Sequence, residues 1–192
     1  MNASPRHSHT LREIDAAALP LVLKFGPHKT VLRALQPADA RNLMAFFNTH
    51  TAETIHRRYG YTFTHLSPLR AAALVSVNQA RDPALGVFEL RPTRRPLIAV
   101  GRYFLSPNEE SAEAAFVVRE DRRGLGIATT LMGVLLGTAR TRGLKKLTAQ
   151  VQSDNSMMTA VLRKTGAVFF DLPSTGTMQA VITLDRKPGR EK

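Results

Sequence analysis

The sequence contains no cysteine among its 192 residues. This absence excludes disulfide bonds and zinc sites built from thiolates, and it excludes a mechanism with an acyl-cysteine intermediate. The six histidines all precede Leu66, and His7 and His9 stand in a polar N-terminal segment. Because such a segment is typical of a solvated tail, we predict no metal site.

Long hydrophobic runs are absent as well. No apolar stretch approaches the roughly 20 residues that a membrane-spanning helix requires. The first residues, Met1 to Thr10, are polar and lack the apolar core of a signal peptide. We therefore expect a cytoplasmic protein with no membrane partner and with a mobile N-terminal tail.

Acidic residues are scarce relative to basic ones. The sequence has 15 Asp and Glu against 27 Lys and Arg, which gives a formal net charge of +12 at pH 7. Such a charge favours anionic partners. The basic residues lie in dispersed pairs, such as Arg57-Arg58 and Arg94-Arg95, rather than in one run. This dispersion disfavours nucleic-acid binding, so a polyanionic cofactor or an acidic protein is the expected partner.

The most informative stretch extends from Ala112 to Gly143. The apolar run from Ala112 to Val118 predicts a strand, and a turn rich in arginine and glycine follows it. From Ile127 onward, apolar residues at helical spacing predict a helix that ends at Gly143, where a left-handed cap is expected.

The turn between this strand and this helix is predicted to bind phosphate. The N–H groups at a helix start have no intrahelical partner and attract anions. Gly124 and Gly126 lack a Cβ, so anionic oxygens can approach the backbone, and Arg122 and Arg123 add charge with a geometry that suits phosphate. The turn lacks the Gly-Lys-Ser/Thr of a nucleotide P-loop and the three-glycine spacing of a dinucleotide site.

The hexapeptide Arg123-Gly124-Leu125-Gly126-Ile127-Ala128 resembles the Gln/Arg-x-x-Gly-x-Gly/Ala pyrophosphate loop of the GNAT superfamily of N-acetyltransferases. The order of motifs is similar too: a strand with an acid, the loop, a helix, a strand, then Ser153-Asp154-Asn155 opening a helix that ends in Arg163-Lys164-Thr165-Gly166. Within the superfamily, the chain most resembles bacterial protein-lysine acetyltransferases that modify acyl-CoA synthetases. The resemblance is strongest between Ala99 and Phe170.

The predicted elements indicate an α+β or α/β protein in three layers. A strand at Thr30 to Leu35 precedes two helices and three antiparallel strands, and the central helix is followed by a strand, a helix and two closing strands. The order resembles the GNAT fold, which implies a mixed, mostly antiparallel sheet flanked by helices, with a V-shaped splay between its two central strands. We expect a tail or arm at residues 1–29, a GNAT domain at 30–185 and a basic tail at 186–192.

The segment from Thr51 to Ser67 interleaves aromatic and basic residues. We predict a loop that packs its aromatic side chains on the core, with an acceptor groove or a nucleic-acid contact as the alternatives. Ser67 and Pro68 then suit the start of a helix that continues to about Gln79.

The resemblance implies roles for individual residues. An amine must be neutral to be acylated, yet a free lysine is mostly protonated near neutral pH. Glu113 is the expected general base, buried near the acceptor; the alternative is a carboxylate in solvent or paired with Arg102. The Val117 amide would hold the thioester oxygen, unless it forms an ordinary ladder hydrogen bond. The residues expected to bind the cofactor are Val117, Val118, Arg123, Gly124, Gly126, Ala128, Thr129, Asn155 and Met158.

Together these features imply an N-acetyltransferase that uses acetyl-CoA and modifies a primary amine, foremost a lysine of an acidic protein. Because cysteine is absent, the acetyl group would pass directly to the acceptor or through a nucleophile other than a thiolate. A small-molecule amine acetyltransferase and a non-catalytic acyl-CoA-binding regulatory module are the alternatives.

Asn155 could simply cap its helix instead of contacting the cofactor. Many GNAT enzymes have a tyrosine in that helix that reprotonates the leaving thiolate. Here Ala160-Val161-Leu162 stands in its place, so no general acid is assigned. No feature indicates an oligomeric state.

Overall fold

The computed structural model describes residues 13–14, 16–59, 65–173 and 175–184, without the side chains of residues 57–59. The predicted tails at residues 1–10 and 186–192 lie outside these ranges, as do His7, His9 and the aromatic residues Tyr61 and Phe63. The predictions that concern the Arg57 and Arg58 side chains also fall outside them.

One mixed sheet of eight strands forms the centre of the described part of the chain. The strands are Leu21–Phe25 (β1), His28–Ala34 (β2), Ala84–Glu89 (β3), Leu97–Leu105 (β4), Ser111–Val118 (β5), Lys146–Gln152 (β6), Val168–Leu172 (β7) and Thr177–Thr183 (β8). Their order across the sheet is β1-β2-β3-β4-β5-β6-β8-β7. Strands β5 and β6 run parallel, and all other neighbours are antiparallel. The predicted mixed, mostly antiparallel sheet is confirmed.

Helices cover both faces of the sheet. They are Ala40–Phe47 (α1), Ala52–Tyr59 (α2), Pro68–Val75 (α3), Ile127–Thr141 (α4) and Ser156–Arg163 (α5). Phe116 of β5 packs in the cluster built around α4, whereas its neighbour Val117 packs with apolar residues of α1 to α3. Successive side chains of a strand point to opposite faces, so the structure has three layers, as predicted. No helix within the described ranges has the length and apolar character needed to cross a membrane.

The predicted start of α3 is confirmed, but its predicted end is wrong. The Ser67 side chain caps the helix, which ends at Val75 rather than near Gln79. Gln79 is used differently, because its side-chain amide donates to the Leu35 carbonyl at 2.8 Å and accepts from the Ala84 N–H at 2.9 Å. These bonds fix the turn between α3 and β3.

Two elements escaped prediction. Strand β1 lies in the segment expected to be an arm, so the sheet begins at Leu21, ahead of the expected boundary at residue 30. It pairs with β2 across a two-residue turn in which Gly26 adopts a positive φ of 56°, typical of a tight hairpin. Helix α2 occupies residues 52–59 of the segment expected to be a loop, so that prediction is wrong there.

The parallel strands β5 and β6 separate after a short pairing. Ser111, Ala112 and Glu113 pair with residues 146–148 of β6, and the pairing stops there, although both strands continue. Strand β6 stays paired with β8 along its whole length. The sheet therefore opens between its two central strands, and the splay implied by the resemblance is present.

Glu13 and Ile14 pack against α4. The Ile14 N–H donates to the Gly133 carbonyl at 3.2 Å, and the Glu13 carboxylate pairs with Arg140 at 2.7 Å. A Cβ on Gly137 would overlap the carbonyl oxygen of Ile14. The bare backbone at Gly137 therefore allows this close approach.

Gly137→Ala should lower the free energy of unfolding. Alanine raises intrinsic helix propensity by about 1 kcal/mol, but overpacking against a backbone atom costs about 1–3 kcal/mol. The neighbour here is the carbonyl oxygen of Ile14, which is not a flexible side-chain end, so we expect the overpacking to dominate. Chemical denaturation of the two proteins measures the difference, and a more stable variant would contradict this packing.

Candidate active site

All predicted site residues line one cleft. The cleft has a volume of about 1250 Å³ and follows the gap between β5 and β6. Its lining includes the loop before α4, the start of α5 and one side of α2. The predicted residues that it brings together are Glu113, Val117, Val118, Arg123, Gly124, Gly126, Ala128, Thr129, Asn155 and Met158.

The loop before α4 is shaped to receive an anion. Gly124 and Gly126 have φ angles of 76° and 85°, and a Cβ at either position would meet nothing within 4 Å. The first bond of the helix runs from the Thr130 N–H to the Gly126 carbonyl at 3.0 Å. The N–H groups ahead of Thr130 at the helix start therefore have no carbonyl partner within the helix. No acidic residue occupies the first turn. A phosphate or diphosphate therefore fits against the helix start.

The two arginines of the loop differ in their surroundings. Arg122 is held by acidic neighbours, because its guanidinium lies 2.8 Å from Asp121 and 3.4 Å from Glu89. Arg123 donates to the Thr54 hydroxyl at 2.7 Å, and its side chain is 37% exposed against 11% for Arg122. Arg123 is therefore the more accessible cation for a ligand in the cleft.

Glu89 anchors Arg122 from β3. Burial alone would raise the pKa of Glu89, but hydrogen bonds from Arg91 and His28 and the charge of Arg122 lower it to about 2. Glu89 is thus ionised at neutral pH, and it fixes Arg122 at the base of the loop.

Glu113 lies where the strands separate, but it is not buried. It is the last residue of β5 that pairs with β6, and its side chain is exposed, so the expectation of burial is wrong. Arg102, the alternative partner, has its guanidinium 4.4 Å from the ring centroid of Phe104 and donates to the Leu74 carbonyl at 3.3 Å. Glu113 lines the cleft at the point where the strands separate, and its exposure matches the alternative of a carboxylate in solvent.

Val117 cannot supply its amide to the cleft, so the prediction that it holds a thioester oxygen is wrong. Strands β4 and β5 pair in a continuous register that sets Val100 opposite Val117. In that register, the Arg119 N–H donates to the Ile98 carbonyl at 2.9 Å. Amides two residues apart point the same way, so the Val117 N–H is directed at β4. The amides of Phe116 and Val118 point to the open side.

Asn155 caps α5. Its side-chain oxygen accepts from the Met158 N–H at 3.1 Å, which is the capping alternative considered for this residue. The cap fixes the start of α5 in the lining of the cleft, which also includes Gly124 and Gly126. A contact between the Asn155 side chain and a cofactor remains a prediction.

One wall of the cleft comes from the segment for which an acceptor groove was an alternative, although sequence reasoning singled out none of these residues. Thr51, Glu53, Thr54 and His56 of α2 and its cap line it. Thr51 caps α2, since its hydroxyl accepts from the Thr54 N–H at 3.3 Å. A threonine before a helix and an acidic residue in its first turn are start signals for a helix, and Thr51 and Glu53 supply both.

Comparison with known proteins places this site in a family. The model of the acetyltransferase (GNAT) domain matches residues 29–168, which is more than two thirds of the chain. The chain belongs to the GNAT acetyltransferase family.

A curated relative is the acetyltransferase Pat of Mycolicibacterium smegmatis, which is 30% identical over 148 residues. That alignment covers 72% of this chain and 41% of Pat. The chain therefore spans less than half of the length of this relative.

Solved structures show the same fold. The GNAT domain of S. lividans PAT aligns with a TM-score of 0.74 at 21% identity, over 95% of this chain and 100% of that one. A Salmonella typhimurium structure that contains acetyl-CoA aligns with a TM-score of 0.68 at 16% identity, over 84% of this chain and 98% of that one. The GNAT fold expected from the sequence is confirmed.

Proposed function

We propose that this GNAT acetyltransferase moves an acetyl group from acetyl-CoA directly to the side chain of a protein lysine. One observation carries the proposal: a carboxylate, an anion-binding loop and a gap between two strands share a single cleft. The similarity to Pat and to the S. lividans PAT domain supports a protein acceptor. The chain has no cysteine, which favours direct transfer over a covalent enzyme intermediate.

The residues of the cleft fit the parts of acetyl-CoA. The diphosphate would lie on Gly124, Gly126 and the first amides of α4, with Arg123 as its accessible cation. The pantetheine arm would run through the gap between β5 and β6, whose free amides can pair with it. When bound, acetyl-CoA supplies an activated acetyl thioester at the point where the strands separate.

The chain's own groups would then handle the proton and the developing charge. Glu113 would take the proton of the incoming amine, because a lysine must be neutral to attack. The amides of Phe116 and Val118 point to the open side, so one of them would replace Val117 as the donor for the carbonyl oxygen. No residue of the cleft is assigned as the general acid.

The acceptor lysine should lie in acidic surroundings. The formal net charge of +12 exceeds what one cofactor requires, and opposite charge steers partners into contact. We expect kcat/KM for the protein acceptor, measured with saturating acetyl-CoA, to fall several-fold as salt is added, whereas kcat changes little. A kcat/KM that is the same at low and high salt would contradict the acidic acceptor.

A bacterial lysate tests the class of acceptor. The protein is incubated with acetyl-labelled acetyl-CoA and the lysate, and both proteins and small molecules are examined by mass spectrometry. Labelled lysines in proteins support the proposal. Label confined to small amines would make the protein a small-molecule acetyltransferase, and tight binding of acetyl-CoA without label transfer would make it a regulatory module. This experiment does not test the expected cytoplasmic location, which remains a prediction.

A further inference from the structure

The turn before the anion-binding loop is bonded to helix α2. Glu120 opens this turn, and its Oε1 accepts from the Thr51 N–H at 3.0 Å and from the hydroxyls of Thr51 and Thr54, each at 2.8 Å. The hydrogen bonds from the Thr51 backbone, the Thr51 hydroxyl and the Thr54 hydroxyl lower the pKa of Glu120 to about 2. Glu120 is therefore an anion at neutral pH, and it sits at the helix end where the macrodipole favours negative charge.

Helix α2 needs contacts with the rest of the fold, and the bonds between Glu120 and its first turn are among them. It has eight residues, and isolated helices of that length are not stable in water. Among residues 52–56, whose side chains the structure describes, Thr54 and Ile55 are buried and the rest are exposed. One of those two buried side chains, Thr54, is itself bonded to Glu120.

Helix α2 covers the side of the sheet on which the incoming amine would reach Glu113. Val117 packs in the same cluster as Ile55 of α2. Side chains two and four residues apart on a strand share a face, so Glu113 projects on the side of the sheet that α2 covers. Glu53 and His56 line the cleft together with Glu113. A lysine that delivers its proton to Glu113 therefore arrives beside α2.

Arg123, the accessible cation of the anion-binding loop, is also bonded to α2. Arg123 donates to the hydroxyl of Thr54 at 2.7 Å and lies 3.9 Å from Glu120. The loop that would hold the diphosphate and the helix that borders the acceptor thus share one set of hydrogen bonds. Asp121, the next residue of the same turn, is bonded instead to Arg119 and Arg122.

We propose that Glu120 is a positioning residue for the acceptor, which holds α2 against the loop and thereby sets the affinity for the acceptor lysine. The proposal rests on the proposed function, since it places the acceptor amine on the Glu113 side of the cleft. Affinity for acetyl-CoA should depend little on Glu120, because the diphosphate would be held by the glycines, the helix start and Arg123.

The test compares Glu120→Ala with Glu120→Gln and with the control Asp121→Ala. A purified bacterial acyl-CoA synthetase serves as the acceptor. Loss of charge-assisted hydrogen bonds should raise the KM for the synthetase about tenfold in Glu120→Ala. The dissociation constant for acetyl-CoA should stay within about twofold. Glutamine keeps an accepting oxygen, so Glu120→Gln should recover part of the loss. Asp121→Ala should leave the KM for the synthetase unchanged.

Hydrogen exchange of the segment 51–59 gives a readout that needs no acceptor. The amides of α2 should exchange faster in Glu120→Ala than in the wild type and in Asp121→Ala. If exchange rises and the KM does not, Glu120 orders α2 without serving the acceptor, and the proposal is overturned. Unchanged exchange, or an acetyl-CoA affinity that falls as much as the KM rises, overturns it as well. If the wild type modifies no protein at all, the proposed function fails, while the exchange result still decides whether Glu120 holds α2.

Discussion

Glu113→Gln should turn over about 10²- to 10⁴-fold more slowly than the wild type at neutral pH, the range that a positioned general base typically contributes. A lysine with a pKa of about 10.4 is neutral in fewer than roughly one molecule in a thousand at pH 7. The substitution keeps the shape of the side chain and removes its basicity. Glu113 is exposed at the point where β5 and β6 separate, so the fold should not depend on its charge.

The pH profile separates a lost base from a damaged site. The activity of Glu113→Gln should recover in part at high pH, where the amine deprotonates unaided, while its affinity for acetyl-CoA stays near that of the wild type. Glu110→Gln is the matched control, since Glu110 lies in the turn before β5 and pairs with Lys145 outside the cleft. If Glu113→Gln matched this control at pH 7, Glu113 would have no part in the proton transfer.

Gly126→Asp should weaken the binding of acetyl-CoA about 10- to 100-fold, the equivalent of one lost charge-assisted hydrogen bond plus repulsion. Gly126 precedes the first turn of α4 with open space where a side chain would project, so the new carboxylate would face the diphosphate. Isothermal titration with acetyl-CoA measures the loss. Arg123→Glu should act in the same direction, but it also removes the contact with Thr54 and is therefore the less specific variant.

Two further variants separate charge from backbone strain. Gly126→Ala carries the same unfavourable positive φ without the charge, so it should bind acetyl-CoA more tightly than Gly126→Asp. Gly143→Asp places the same charge at a residue with a similar φ of 73° and open space, beyond the other end of α4 and outside the cleft. Acetyl-CoA affinity in Gly143→Asp should equal that of the wild type. Equal affinities for Gly126→Asp and Gly143→Asp would remove the loop from the cofactor site.

The anion-binding loop was predictable because its signals are local. A strand, two glycines and a helix start follow one another in the sequence, and the structure gives both glycines positive φ angles in the lining of the cleft. The end of α4 was predictable for the same reason, since Gly143 has the left-handed conformation expected after a helix. Such features depend on neighbouring residues and require no knowledge of the rest of the chain.

What was missed depends on contacts between distant segments. The direction of the Val117 amide follows from its register with Val100, and the pattern of apolar residues says nothing about which edge of a strand an amide faces. Helix α2 is held by Glu120, which lies more than sixty residues away in the sequence. Its polar sequence has few apolar positions to reveal a helical period. Strand β1 was taken for an arm because its pairing with β2 is visible only in the sheet.

The most direct measurement uses acetyl-CoA with an isotopic label in its acetyl carbonyl and a purified bacterial acyl-CoA synthetase. After incubation with the protein, peptide mass spectrometry locates the label, and free coenzyme A is quantified in the same sample. The account predicts labelled lysine and coenzyme A in equal amounts, with both reduced together in Glu113→Gln. Release of coenzyme A without any labelled lysine, or binding of acetyl-CoA without release, would contradict it.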